Sequence, residues 1–162
     1  MTASVVSATV PDWERERVRR FYDPSRQLLR HLRSYQKRVG LPGIFPAIAR
    51  ARDVFWHRVW SIVSGAEIPL NSRISGGLLL PHPNGIVIHP DAVIGPNCLL
   101  FQQVTIGHGG PVEGVPRLGG HVDVGAGAKI LGGITIGDHV RIGANAVVLC
   151  DVPPGASAVG VP

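Results

Sequence analysis

Aliphatic residues recur every six positions through the C-terminal part of the chain. Leu118, Val124, Ile130, Ile136, Ile142 and Val148 follow one another without a slip, and a second aliphatic stands four residues after each, at Val122, Ala128, Ile134, Val140, Ala146 and Val152. Upstream, Ile88, Ile94, Leu100 and Ile106 keep the same phase, whereas Ile68, Ile74 and Leu80 are displaced by two residues. The displacement falls on the segment Pro81-His82-Pro83-Asn84-Gly85. A period of six fits neither a helix nor an ordinary strand. It marks a parallel β-helix, in which each hexad is a short strand and a turn with its aliphatic side chain pointing inward. About three hexads make one triangular coil, so residues 66–156 predict about five coils.

The first 64 residues follow a different pattern. Apolar and aromatic residues at 18, 21, 22, 28, 29, 32 and 35 have near-helical spacing between Trp13 and Val39. Pro24 should break or restart that helix, with Asp23 as its N-cap. Pro42 and Pro46 bound a linker, and residues 47–64 predict a second amphipathic helix ending at Gly65. The expected organisation is therefore a helical segment over 1–64 and a β-helix over 65–162.

Composition sharpens this division. Residues 1–64 hold 12 of the 16 Lys and Arg but only 2 of the 21 glycines. The basic segment offers a contact for a membrane surface or a protein partner. It carries no nucleic-acid-binding motif, so nucleic acid is not an expected partner. Cys98 and Cys150 form neither a metal-ligand spacing nor a disulfide framework, which points to a reducing cytoplasm. Scattered turn histidines predict no metal site.

The break in the hexads is the chemically loaded stretch. Pro81 and Pro83 exclude a helix interior, and Asn84-Gly85 signals a turn, so His82 should stand on a stiff exposed bend. An imidazole has an unperturbed pKa near 6.5, suited to accepting a hydroxyl proton near neutral pH. One coil below, Glu67 lies within a few residues of the stacking position and is placed to orient that imidazole. His89, His121 and His139 fall on ordinary hexad turns. Cys98 falls on an inward position and should be an inert thiol.

The hexads, the run from Gly125 to Leu149 (GAGAKILGGITIGDHVRIGANAVVL) and the ending DVPPGASAVGVP resemble the hexapeptide-repeat acyltransferases, and among them the serine acetyltransferases. The resemblance covers about residues 65–162 and implies a left-handed β-helix, acetyl-CoA as co-substrate, transfer to a small-molecule hydroxyl, and a homotrimer with sites between subunits. It implies His82 as general base and Glu67 as its acidic partner. It also implies acetyl-CoA contacts at Gly107, His108, Ala126 and Ala144. Arg117 is the nearest candidate for a substrate contact.

Two departures concern the acceptor. Pro81 stands where the family has an Asp that holds the serine amine, and Gly114-Val115 stand near its Arg-His pair, in a loop about two residues shorter. These departures predict weak serine turnover and a better sugar acceptor, as in polysaccharide synthesis. The alternative outside enzymology is a non-catalytic scaffold or binding module, which has no need of a His82/Glu67 pair.

Overall fold

The computed structural model describes residues 6–162. The chain forms helices α1 (Pro24–Gln36) and α2 (Ile44–Ser64), then twelve strands of two or three residues. These are β1 (Arg73–Ile74), β2 (Val87–Ile88), β3 (Val93–Ile94), β4 (Leu99–Leu100), β5 (Thr105–Gly107), β6 (Arg117–Leu118), β7 (Asp123–Val124), β8 (Lys129–Leu131), β9 (Thr135–Ile136), β10 (Arg141–Ile142), β11 (Val147–Val148) and β12 (Ser157–Ala158). They make three parallel four-stranded sheets, ordered β1-β3-β6-β9, β4-β7-β10-β12 and β2-β5-β8-β11. Single bridges at Glu67↔Val87, Leu79↔Leu99 and Ile136↔Val152 add one rung to each face. Every third strand therefore returns to the same sheet, which is a parallel β-helix of triangular section.

Each inward aliphatic sits on the one below it. Ile88, Ile106, Ile130 and Val148 are in register through the β2-β5-β8-β11 sheet and are all buried. The spacing between rungs records every irregularity of the sequence. Regular coils advance by 18 residues, as from Val87 to Thr105. The coil containing the Pro81–Gly85 turn needs 20, as from Arg73 to Val93. The coil containing residues 108–116 needs 24, as from Thr105 to Lys129, because that segment leaves the prism as a loop. The closing coil needs only 16, from Arg141 to Ser157.

Leu28, Leu29 and Leu32 of α1 and Trp60 of α2 belong to the same core as the coils, so the helices cover the open first coil. Polar contacts fix α1 there: the Arg33 guanidinium donates to the carbonyls of Ile74 and Ser75, and the Gln36 amide to those of Leu70 and Ser72. Such a cover removes the exposed end that a solenoid otherwise presents to solvent.

The helical expectation for Trp13–Val39 holds only from Pro24 onward. Trp13–Glu16 is a single 3-10 turn, because its polar side chains are claimed by the coils. The Glu16 carboxylate accepts from the Leu78 N–H at 3.0 Å and from Arg33, and Arg15 donates to the carbonyls of Gly77 and Asn97. Asp23 occupies the N-cap position of α1, but its side chain turns to Arg26 and the Arg19 N–H instead of capping. α2 starts at Ile44, with Pro46 inside its first turn, where a missing N–H costs nothing. It ends where expected, at Gly65 with φ of 68°. That left-handed cap is cheap only for glycine.

The interior of the helical pair is polar. Asp53 is fully buried and its carboxylate accepts from the Ser34 hydroxyl at 2.7 Å, His31 at 3.2 Å and Arg52 at 3.2 Å. Burial alone would raise its pKa, but those hydrogen bonds outweigh burial and hold it below the ordinary value. Burial lowers the pKa of His57, whose Nε2 has no partner, and also that of His31, against the pull of Asp53. The unfolded chain takes up protons on both imidazoles below about pH 6.5, whereas the folded chain resists them, so stability falls as pH drops through that range. The Asp53 contribution persists to lower pH, because its folded pKa is depressed. The urea midpoint should therefore decline between about pH 7.5 and pH 5, and His57→Gln should flatten the decline. A midpoint that is level across that window in the unsubstituted chain would contradict this account.

Candidate functional site

His82 stands on the bend before Asn84-Gly85, exposed, with its ring against Phe101 at 6.5 Å between centroids and 27° between planes. Gly85 closes the turn with φ of 70°, and its N–H donates to the Gly65 carbonyl at 2.7 Å. The turn is the lowest of a column along one edge of the prism. The Gln103 N–H donates to the Asn84 carbonyl at 2.9 Å, the Gly127 N–H to the Gln102 carbonyl at 2.8 Å, and the Asn145 N–H to the Ala126 carbonyl at 2.8 Å. Ala126 and Ala144 are turn residues of the two upper rungs of that column. The structure thus brings His82, Ala126 and Ala144 to a single edge.

The sheet that leaves this edge is β2-β5-β8-β11, and Glu67 forms its lowest rung, paired with Val87. Burial alternates along Ala66, Glu67 and Ile68, so the Glu67 carboxylate points outward, onto the same face as Thr105 and Lys129. The Lys129 ammonium donates to the Gln103 carbonyl at 2.7 Å and to the Thr105 hydroxyl at 3.0 Å. Glu67 also lines a cleft of about 360 Å³ with His57, Arg58 and Ser61 beneath α2. Among the described residues, the ion pairs of histidine are His31–Asp53 and His89–Asp91; Glu67 and His82 share a neighbourhood without a hydrogen bond.

Gly107 and His108 lie at the other margin of this face. Gly107 ends β5, pairs with Leu131 and accepts from the Gly132 N–H. His108 is exposed and meets His89 edge-on, at 4.4 Å between centroids. Arg117 is not on this face. It opens β6, exposed, in register with Val93 and Thr135 on a different sheet. Within one chain it is separated from Glu67 by a turn of the prism.

Two features escaped the sequence. Phe101 was legible only through the 20-residue coil, which stacks the segment after Leu100 on the segment after Leu80. A cavity of about 640 Å³ borders the turn at Pro81 and Pro83, with Arg19, Arg20 and Arg26 on one side and Leu78 to Leu80 on the other. Its cations come from residues some sixty positions away in sequence, with no motif to announce them.

The other singled-out residues are accounted for by the fold. Cys98 is fully buried, and burial pushes its thiol up to about 11. His121 and His139 occupy left-handed turn positions on a further edge, their Nδ1 atoms 2.8 Å apart, one donating and the other accepting. Among the described residues no group of three or more His, Cys, Asp or Glu is arranged to hold a metal ion.

Residues 116–150 match the family model described as bacterial transferase hexapeptide (six repeats). A serine acetyltransferase of Synechococcus elongatus is 46% identical over 103 residues, covering 62% of this chain and 42% of that protein. The structure of soybean serine acetyltransferase complexed with serine superposes with a TM-score of 0.69 at 35% identity, covering 88% of this chain and 56% of the other. A serine acetyltransferase in complex with CoA gives a TM-score of 0.69 at 30% identity, covering 87% and 56%. The chain spans about half the length of these relatives. They are named for serine, and the expectation of a sugar acceptor draws no support from them.

Proposed function

We propose that this chain, a hexapeptide-repeat protein resembling the serine acetyltransferases in sequence and fold, is an acetyl-CoA-dependent O-acetyltransferase acting on the hydroxyl of a small molecule. His82 takes the proton of the acceptor hydroxyl as its oxygen attacks the thioester carbonyl. The tetrahedral intermediate collapses, the carbon–sulfur bond breaks, and the imidazolium returns the proton to the departing CoA thiolate. Glu67 orients the imidazole and stabilises its charged form, in contacts that tighten when substrate fills the site. The acyl donor lies along the column of Ala126 and Ala144, with Gly107 and His108 at the far margin of the face.

The observation that supports this reading is the alignment of His82 with Ala126 and Ala144 on one edge, above a face that carries Glu67. Because Arg117 lies on another sheet, a neighbouring copy is needed to bring it to this face, which fits a homotrimer wound left-handed as the resemblance implies. L-Serine is the leading acceptor. Its amine loses a carboxylate partner at Pro81, and the cationic cavity beside Pro81 and Pro83 offers Arg19 and Arg20 to its carboxylate.

The test is thiol release from acetyl-CoA, measured against L-serine and a panel of sugars. Release that requires one of these hydroxyls is the expected result, and no acceptor-dependent release would leave the scaffold reading in its place.

A further inference from the structure

α2 is inside out. The side chains it buries are Asp53, His57, Trp60 and Ser64, three of them polar. Its solvent side carries Ile44, Phe45, Ile48, Phe55 and Ile62, with Phe45 83%, Ile48 60%, Phe55 61% and Ile62 78% exposed. At about 100° per residue, Ile44, Ile48, Phe55 and Ile62 fall on one line along the helix. The stripe runs nearly the whole of a 21-residue helix, about 30 Å. Apolar surface of this extent is not left in water without a purpose.

The charges around the stripe say what covers it. Between Pro24 and Ala66 eight Lys and Arg stand against one acid, Asp53, which is buried and already paired. Arg52 and Arg58 flank the Ile48–Phe55 line on opposite sides, where their stems can lie along an apolar surface with the guanidinium groups at its polar boundary. Trp56, 39% exposed, stands beside them. Two copies of this hairpin set stripe to stripe would bring like charges together. A surface that is apolar within and anionic at its boundary complements both features at once, and that is a bilayer containing acidic lipid. Among the described residues no helix is long and apolar enough to cross a membrane, so this helix lies on the surface.

We infer that α2 docks the protein on anionic membrane by inserting the Ile44, Ile48, Phe55 and Ile62 stripe into the interface, with Arg52 and Arg58 at the headgroups. The last turn of α2 leads into Gly65, which bonds to the His82 turn, so docking holds the candidate site at the end of the surface-bound helix. The inference stands without the proposed chemistry, since binding is read independently of acetyl transfer.

Flotation of the full chain with vesicles tests it, using an equimolar mixture of phosphatidylglycerol and phosphatidylcholine against phosphatidylcholine alone. The protein should float with the acidic vesicles, release as salt is raised, and stay behind with the neutral ones. The double variant Ile48→Ser/Phe55→Ser should lose at least about tenfold in partitioning. Both side chains are exposed, so an unchanged circular dichroism spectrum and urea midpoint should accompany that loss. Failure to float, equal binding to both vesicle types, or flotation undiminished in the double variant would each overturn the inference. So would dissociation of an oligomer by the same double substitution, which would assign the stripe to a second copy.

Discussion

His82→Ala is expected to lower turnover by roughly 10²–10⁴, the usual contribution of a positioned acid–base group, and to leave the coils intact. The side chain is exposed on a bend and packs only against Phe101, so its removal opens no cavity in the core. The bend itself is set by Pro81, Pro83 and the left-handed Gly85, none of which the substitution touches. Glu67→Gln should lower turnover less and leave acetyl-CoA affinity nearly unchanged, because in the proposed reaction its partner is the imidazole. The double variant should lose little beyond His82→Ala, since groups that act as a unit are strongly non-additive. Steady-state CoA release from the two single variants and the double variant measures this. Fully multiplicative losses would mean that the two side chains act separately.

Ile106→Ala and Ile130→Ala should each cost about 2–5 kcal/mol of stability. Both side chains are completely buried and stacked on one another, with Ile88 below and Val148 above. Truncation leaves a void between rungs that are pinned by backbone hydrogen bonds on either side, so the site relaxes little. Because the two residues touch the same column, their joint cost should depart from the sum by about 0.5–3 kcal/mol. Val112 makes the control. It holds the same six-residue phase, but it lies in the excursion loop and is 44% exposed. Val112→Ala should change stability by no more than about 0.5 kcal/mol. Urea midpoints decide the matter, and an Ile106→Ala cost below about 1 kcal/mol would contradict an inward ladder.

That contrast explains what the sequence could convey. The ladder was legible because each inward residue must be aliphatic and each rung repeats the demand. The two-residue displacement at Pro81–Gly85 was legible because it shifts the phase, and it appears as the 20-residue coil. The loop over 108–116 was not, because an insertion of one hexad restores the phase it interrupts and only the register from Ile106 to Ile130 exposes it.

In the helical part the amphipathic spacing of α2 was readable, but not the side that faces inward. Spacing does not reveal that Ser34, His31 and Arg52 satisfy a buried Asp53. Glu16 was invisible for the same reason, its partner Leu78 being 62 residues away. At the candidate site, His82 and Glu67 could be singled out from a turn signature and a coil length. Arg117 could not be assigned to a face by the same means, because the loop before it hides how far the chain has wound.

The measurement closest to the central claim follows the acetyl group itself. Purified protein is incubated with acetyl-CoA labelled in the acetyl carbon, together with L-serine and, separately, sugars, and the acceptors are examined by mass spectrometry. The account predicts labelled, base-labile ester on an acceptor hydroxyl, formed in step with free CoA and sharply reduced in His82→Ala. Free CoA without labelled ester, or ester formed equally by the His82 variant, would contradict it.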